Sequence, residues 1–135
     1  MLSRSLSMVA MLVLLAFAAC GEGRESGATG TATAPSGPAV ATIEVKETEY
    51  RLAPQDPEVE KAGVVDLYVT NAGEIGHALE VEGPSGEVET EEIAPGDSAT
   101  LKADLGEPGR YKWYCPIADH EDRGMVGEIV VAGGG

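Results

Sequence analysis

The chain has 135 residues, 23 Asp plus Glu against nine Lys plus Arg, and a formal net charge of −14. That balance excludes a nucleic-acid binder, which needs a basic face to meet phosphates. With a leader and a linker set aside, about ninety residues remain, enough for one small core and not for two domains.

In chain order, residues 1–19 hold one basic residue, Arg4, and then the apolar run Met8 to Ala19. The run is too short to cross a bilayer and ends in small residues, so 1–19 reads as a secretory signal peptide. It stops at Phe17-Ala18-Ala19-Cys20-Gly21, which resembles a bacterial lipoprotein lipobox with Phe17 where an aliphatic residue is usual. The resemblance implies a lipid on Cys20 and a protein anchored outside the cytoplasm to a bacterial membrane, in the periplasm or at the cell surface. The plainer alternative is a secreted chain with a chance Cys, but a Cys directly after Ala-Ala is rare in such chains. Loss of the signal removes Arg4 and leaves the mature chain one unit more negative. After Cys20, the rest of 20–39 is mostly Gly, Ser, Thr, Ala and Pro without apolar periodicity, a flexible tether spanning roughly 25 Å.

Residues 40–132 carry a period of two. Ile43 and Val45 alternate with Glu44 and Lys46; Val65, Leu67 and Val69 with Asp66 and Tyr68; Leu79 and Val81 with Glu80 and Glu82. Ala99, Leu101 and Ala103 follow the same rule, as do Tyr111, Trp113 and Cys115. Turn residues separate these runs at Asn71-Ala-Gly73, Gly83-Pro-Ser-Gly86, Ala94-Pro-Gly96-Asp97 and Glu107-Pro-Gly109. Short strands with a turn about every ten residues predict an all-β antiparallel sandwich or barrel.

The chemistry is concentrated in four side chains. His77 stands alone in mid-chain, and Cys115-x4-His120-x4-Met125 lies in one later loop. Two imidazoles, a thiolate and a thioether are the donor set of a blue-copper electron-transfer site. If Cys20 carries lipid, Cys115 has no partner for a disulfide, and a lone thiol outside the cytoplasm calls for another role, of which metal ligation is one. Alone, Cys115 would read as a small buried hydrophobe; His120 and Met125 at five-residue steps argue otherwise. By strand parity Cys115 faces inward at the end of its strand and His77 at the start of its own, both at one open end of the sandwich.

These features resemble the cupredoxins, the small blue-copper proteins of the plastocyanin and azurin group. The resemblance runs over about Ala41 to Val131: Val69-Thr-Asn71-Ala-Gly73 ahead of His77, the Ala94-Pro-Gly96 turn, Pro108-Gly109-Arg-Tyr111-Lys-Trp-Tyr-Cys115, and Gly124-Met125-Val-Gly127 before the last strand. The Cys-to-Met spacing resembles the longer, rusticyanin-type loop. The resemblance implies a Greek-key β-sandwich of about seven to eight strands holding one type 1 copper ion through His77, Cys115, His120 and a weak axial Met125. Ala78 stands where many members carry an Asn or Asp that braces the Cys loop, and Asp119 where Gly is common.

The expected function is one-electron transfer by a monomer between redox proteins, with copper delivery without redox turnover as the alternative and a metal-free interaction domain as a third reading. An enzyme is not expected, because no Ser-His-Asp, paired-carboxylate or second metal pattern stands out. Glu87, Glu89, Glu91 and Glu92 are either a solvated edge that discourages aggregation or a docking patch for a basic partner such as a c-type cytochrome; an oxidase is another expected partner.

Overall fold

A computed structural model describes residues 33–133. The signal peptide expected at 1–19, the lipid site at Cys20 and most of the linker expected at 20–39 lie outside the described residues. Residues 33–40 carry no strand, and the first strand begins at Ala41.

Alternation of β-branched or aliphatic residues with charged ones gives strands with one dry and one wet face. The strands are β1 (Ala41–Thr48), β2 (Arg51–Ala53), β3 (Glu58–Val59), β4 (Gly63–Asn71), β5 (Glu80–Gly83), β6 (Gly86–Glu89), β7 (Ser98–Leu105), β8 (Gly109–Tyr114) and β9 (Val126–Val131). Among the described residues there are nine, two of which, β2 and β3, are too short to show a period in the sequence. Among the described residues there is no helix.

Two sheets form, in the orders β2-β1-β4-β7 and β3-β9-β8-β5-β6. Most pairs are antiparallel, as expected, but β1 runs parallel to β4 and β3 parallel to β9. The sheets close on each other over Ile43, Val45, Leu67, Val69, Leu101 and Ala103 on one side and Val81, Tyr111, Trp113 and Ile129 on the other, all buried. Trp113 fills the centre, and its Nε1 donates to the Gln55 carbonyl at 2.8 Å, which satisfies the one polar atom of a large apolar ring. Core burial fixes register, since a slip of one residue would turn every apolar side chain to water. It therefore also fixes which end of the sandwich receives Cys115 and the loop before β5.

Candidate metal centre

Cys115 directly follows β8 and keeps the inward parity of Tyr111 and Trp113, so it is fully buried. His77 is also fully buried, but it lies ahead of β5 rather than in it. A backbone bridge holds it: the His77 amide donates to the Ile93 carbonyl at 3.2 Å, and the Ile93 amide to the His77 carbonyl at 2.7 Å. Asn71, at the end of β4, fixes the intervening loop. Its Nδ2 donates to the carbonyls of Ile75 at 2.7 Å and Ile93 at 2.8 Å, and its Oδ1 accepts from the Gly73 amide. Gly73 has no side chain for a close reason: a Cβ there would stand 3.0 Å from His77 Nε2.

The loop from β8 to β9 is stitched by its own backbone. The Cys115 amide donates to the Met125 carbonyl and the Met125 amide to the His120 carbonyl, both at 3.0 Å. The His120 amide donates to the Ile117 carbonyl at 3.1 Å. Gly124, with φ +111°, turns the chain into Met125 in a conformation that suits glycine. His77 is thus brought beside Cys115 and His120, which lie together in this later loop.

The donor atoms of His77, Cys115 and His120 all lie within 4.8 Å of one another. Cys115 Sγ is 3.4 Å from His120 Nδ1, and the imidazole centroids are 5.2 Å apart. Met125 is fully buried with its backbone bonded to both Cys115 and His120. The fold therefore brings all four expected donors to one end of the sandwich.

Burial pushes the Cys115 thiol above its ordinary range; amide donors, among them Ala78 at 3.5 Å from the sulfur, oppose that, and the charges of Glu47 and Glu92 add to it. Burial, then the neighbouring His120, hold His77 below the usual imidazole range, which keeps it neutral and able to donate a lone pair. Neither His77 Nδ1 nor Nε2 has a hydrogen-bond partner among the described residues. Glu49 Oε1 lies 3.9 Å from Nε2, beyond hydrogen-bond reach. A buried imidazole with both nitrogens unsatisfied is costly in a metal-free protein and relieved by a metal ion. Two imidazoles, a thiol and a thioether that are sealed from water fit one type 1 copper ion.

Sequence reasoning missed two neighbours, Tyr50 and Glu47. Tyr50, at the β1–β2 turn with φ +60°, packs its ring edge against His120 with centroids 5.3 Å apart. The Arg123 guanidinium lies 3.4 Å over the same ring. Glu47 is buried at the same end of β1, and only its shared parity with Ile43 and Val45 could have marked it.

A β-sandwich with a buried, mononuclear cluster of soft and borderline donors defines a class of metalloprotein. A model of the family described as Cupredoxin-like domain matches residues 7–131, and the chain belongs to that family. None of the curated proteins compared with it matches the chain. Among solved structures, dithionite-reduced auracyanin from the photosynthetic bacterium Roseiflexus castenholzii is 19% identical with a TM-score of 0.63, covering 71% of this chain and 100% of that one. Auracyanin B is 18% identical with a TM-score of 0.67, covering 77% and 97%. A multicopper oxidase, 13% identical with a TM-score of 0.54, covers 71% of this chain and 45% of its own. At these identities the likeness is one of fold.

Proposed function

We propose that the protein is a one-electron carrier in which His77, Cys115, His120 and Met125 hold one type 1 copper ion that alternates between Cu(I) and Cu(II). The observation that carries this is the buried His77, Cys115 and His120 cluster with both His77 nitrogens unpartnered. Copper would supply the redox step. The chain's own part is to hold the donors in a fixed frame, so that a change of oxidation state moves few atoms. Backbone bonds from Cys115, His120 and Met125 within one loop, and the Asn71 brace across the other, support that role. The auracyanin studied in a reduced state shares the fold and is consistent with redox use.

Copper delivery without turnover uses the same donors. The full burial of Cys115 and Met125 favours a carrier, since a delivery site must hand its ion to a partner. The oxidised, copper-loaded protein is expected to show an intense thiolate-to-copper band that Cys115→Ser abolishes while the fold survives. A Cys115→Ser variant that stays intensely coloured would remove Cys115 from the ligand set.

The partner follows from charge. Glu87, Glu89, Glu91 and Glu92 are all exposed, so a basic redox protein is the fitting partner. β6 is also an edge strand, and its Glu87 and Glu89 guard that edge against pairing. We assign the anchor to lipid on Cys20, with the protein outside the cytoplasm. Cell fractionation is expected to find it with membranes, and Cys20→Ala to leave it unprocessed or soluble; wild-type protein found wholly soluble would overturn the anchor.

A further inference from the structure

Glu47 is the one acidic side chain that β1 turns inward. It shares the dry face with Ile43 and Val45 and is itself 0% exposed. Neither carboxyl oxygen has a hydrogen-bond partner among the described residues. The register pairs it with Leu52 on β2 and with Asn71 on β4, the residue that frames the His77 loop. Its charge is felt by the Cys115 thiol, after the larger effect of burial. No donor of the metal centre is hydrogen-bonded to it. An apolar residue would fill the same space without desolvation, so the group is retained at a cost to stability.

We infer that Glu47 is a redox-linked proton site: its carboxylate takes up a proton when the adjacent metal centre gains an electron and releases it when the electron leaves. The inference rests on the copper-carrier reading above. On reduction one electron arrives from the redox partner and one proton from water, and an O–H bond forms on Glu47. On oxidation that bond breaks and both depart. The driving force is electrostatic. Reduction removes one unit of positive charge from the centre, so the buried carboxylate loses attraction in a medium that screens poorly. Burial alone already pushes Glu47 up to about 7, within reach of ordinary solution pH.

The charged surroundings leave the proton with Glu47. Its neighbours on β1, Lys46 and Glu44, are exposed, as are Glu49 beyond the strand and Arg51 on β2. On β4 the charged side chain is Asp66, which pairs with Lys102 at 2.6 Å away from the inner face. From the opposite sheet and its loops, the ionisable groups buried at this end are Cys115, His77 and His120, together with Glu80, which accepts from Tyr114 Oη at 2.7 Å. Glu128 on β9 is exposed.

The test uses the copper-loaded full chain, its Glu47→Gln variant, and Glu47→Leu should the amide fail to fold. In the wild type, lowering pH between about pH 9 and pH 5 raises the reduced-to-oxidised ratio at fixed applied potential, by up to about tenfold per pH unit. In the variants the ratio is pH-independent. Infrared difference spectra of the wild type gain a protonated-carboxyl band on reduction, and the variants lack it. A flat titration in blue wild-type protein, or a slope or band that survives in Glu47→Gln, overturns this inference and leaves the carrier intact. Wild-type protein with no blue band at all overturns the carrier reading and this inference with it.

Discussion

Met125 has the least evident role of the four donors, because a buried methionine is as often core as ligand. It is 0% exposed, but its amide and carbonyl are committed to His120 and Cys115, which holds its backbone beside both. Met125→Leu conserves volume, so as core it would cost under about 1.5 kcal/mol and leave the redox chemistry alone. As a weak axial ligand, its loss favours Cu(I), which needs fewer donors. Met125→Leu is therefore expected to raise the reduction potential and Met125→Gln, with a harder oxygen donor, to lower it, copper remaining bound in both. Voltammetry of the pair decides, and unchanged potentials in both would return Met125 to the core. His77, Cys115, His120 and Met125 stood out in the sequence because His, Cys and Met are scarce and their spacing is uncommon. Glu47 was not, because in a chain this acidic one more Glu in an alternating run carries no signal until the register shows which face it takes.

Among the elements, the long strands were legible for the same reason that they form: alternation is visible locally. Pairing partners were not. The parallel match of β1 with β4 joins Ile43 to Leu67 and Val45 to Val69 across an intervening hairpin, and no local pattern encodes that. The expected gap in bracing, with Ala78 where an Asn or Asp is usual, is closed from elsewhere. The Ala78 backbone amide still reaches the Cys115 sulfur, and Asn71 supplies side-chain bonds to the His77 loop. The β1–β2 turn adds a third support, with Tyr50 held between the His120 ring and the Arg123 guanidinium. Glu121, the residue after His120, is paired with Lys112 at 2.7 Å. The loop that carries Cys115 and His120 is thus held by Ala78 and Tyr50 from distant parts of the chain and by Lys112 from β8 beside it.

For the whole molecule, two buried groups pull stability in opposite directions with pH, and the metal-free protein exposes both. His77 is held below its ordinary range by burial and by His120, so it destabilises the fold as pH falls below the unfolded imidazole value of about 6.5. Glu47 works the other way. Its folded value, about 7, lies above the ordinary 4.5, because burial penalises the carboxylate. Between those values the folded chain keeps a proton that the unfolded chain has lost, so stability falls as pH rises. Its contribution is fully present below about pH 4.5 and gone above about pH 7, a difference of roughly 3 kcal/mol. Glu47→Gln removes that slope and leaves the His77 contribution untouched, so the difference between the two unfolding curves isolates Glu47. Denaturant unfolding of both metal-free proteins is expected to show the Gln variant gaining on the wild type as pH rises from about 4.5 to about 7, by roughly 3 kcal/mol in all, with no further change above. A constant difference across that window would mean that Glu47 is solvated in the folded chain, and its place on the dry face of β1 would have to be redrawn.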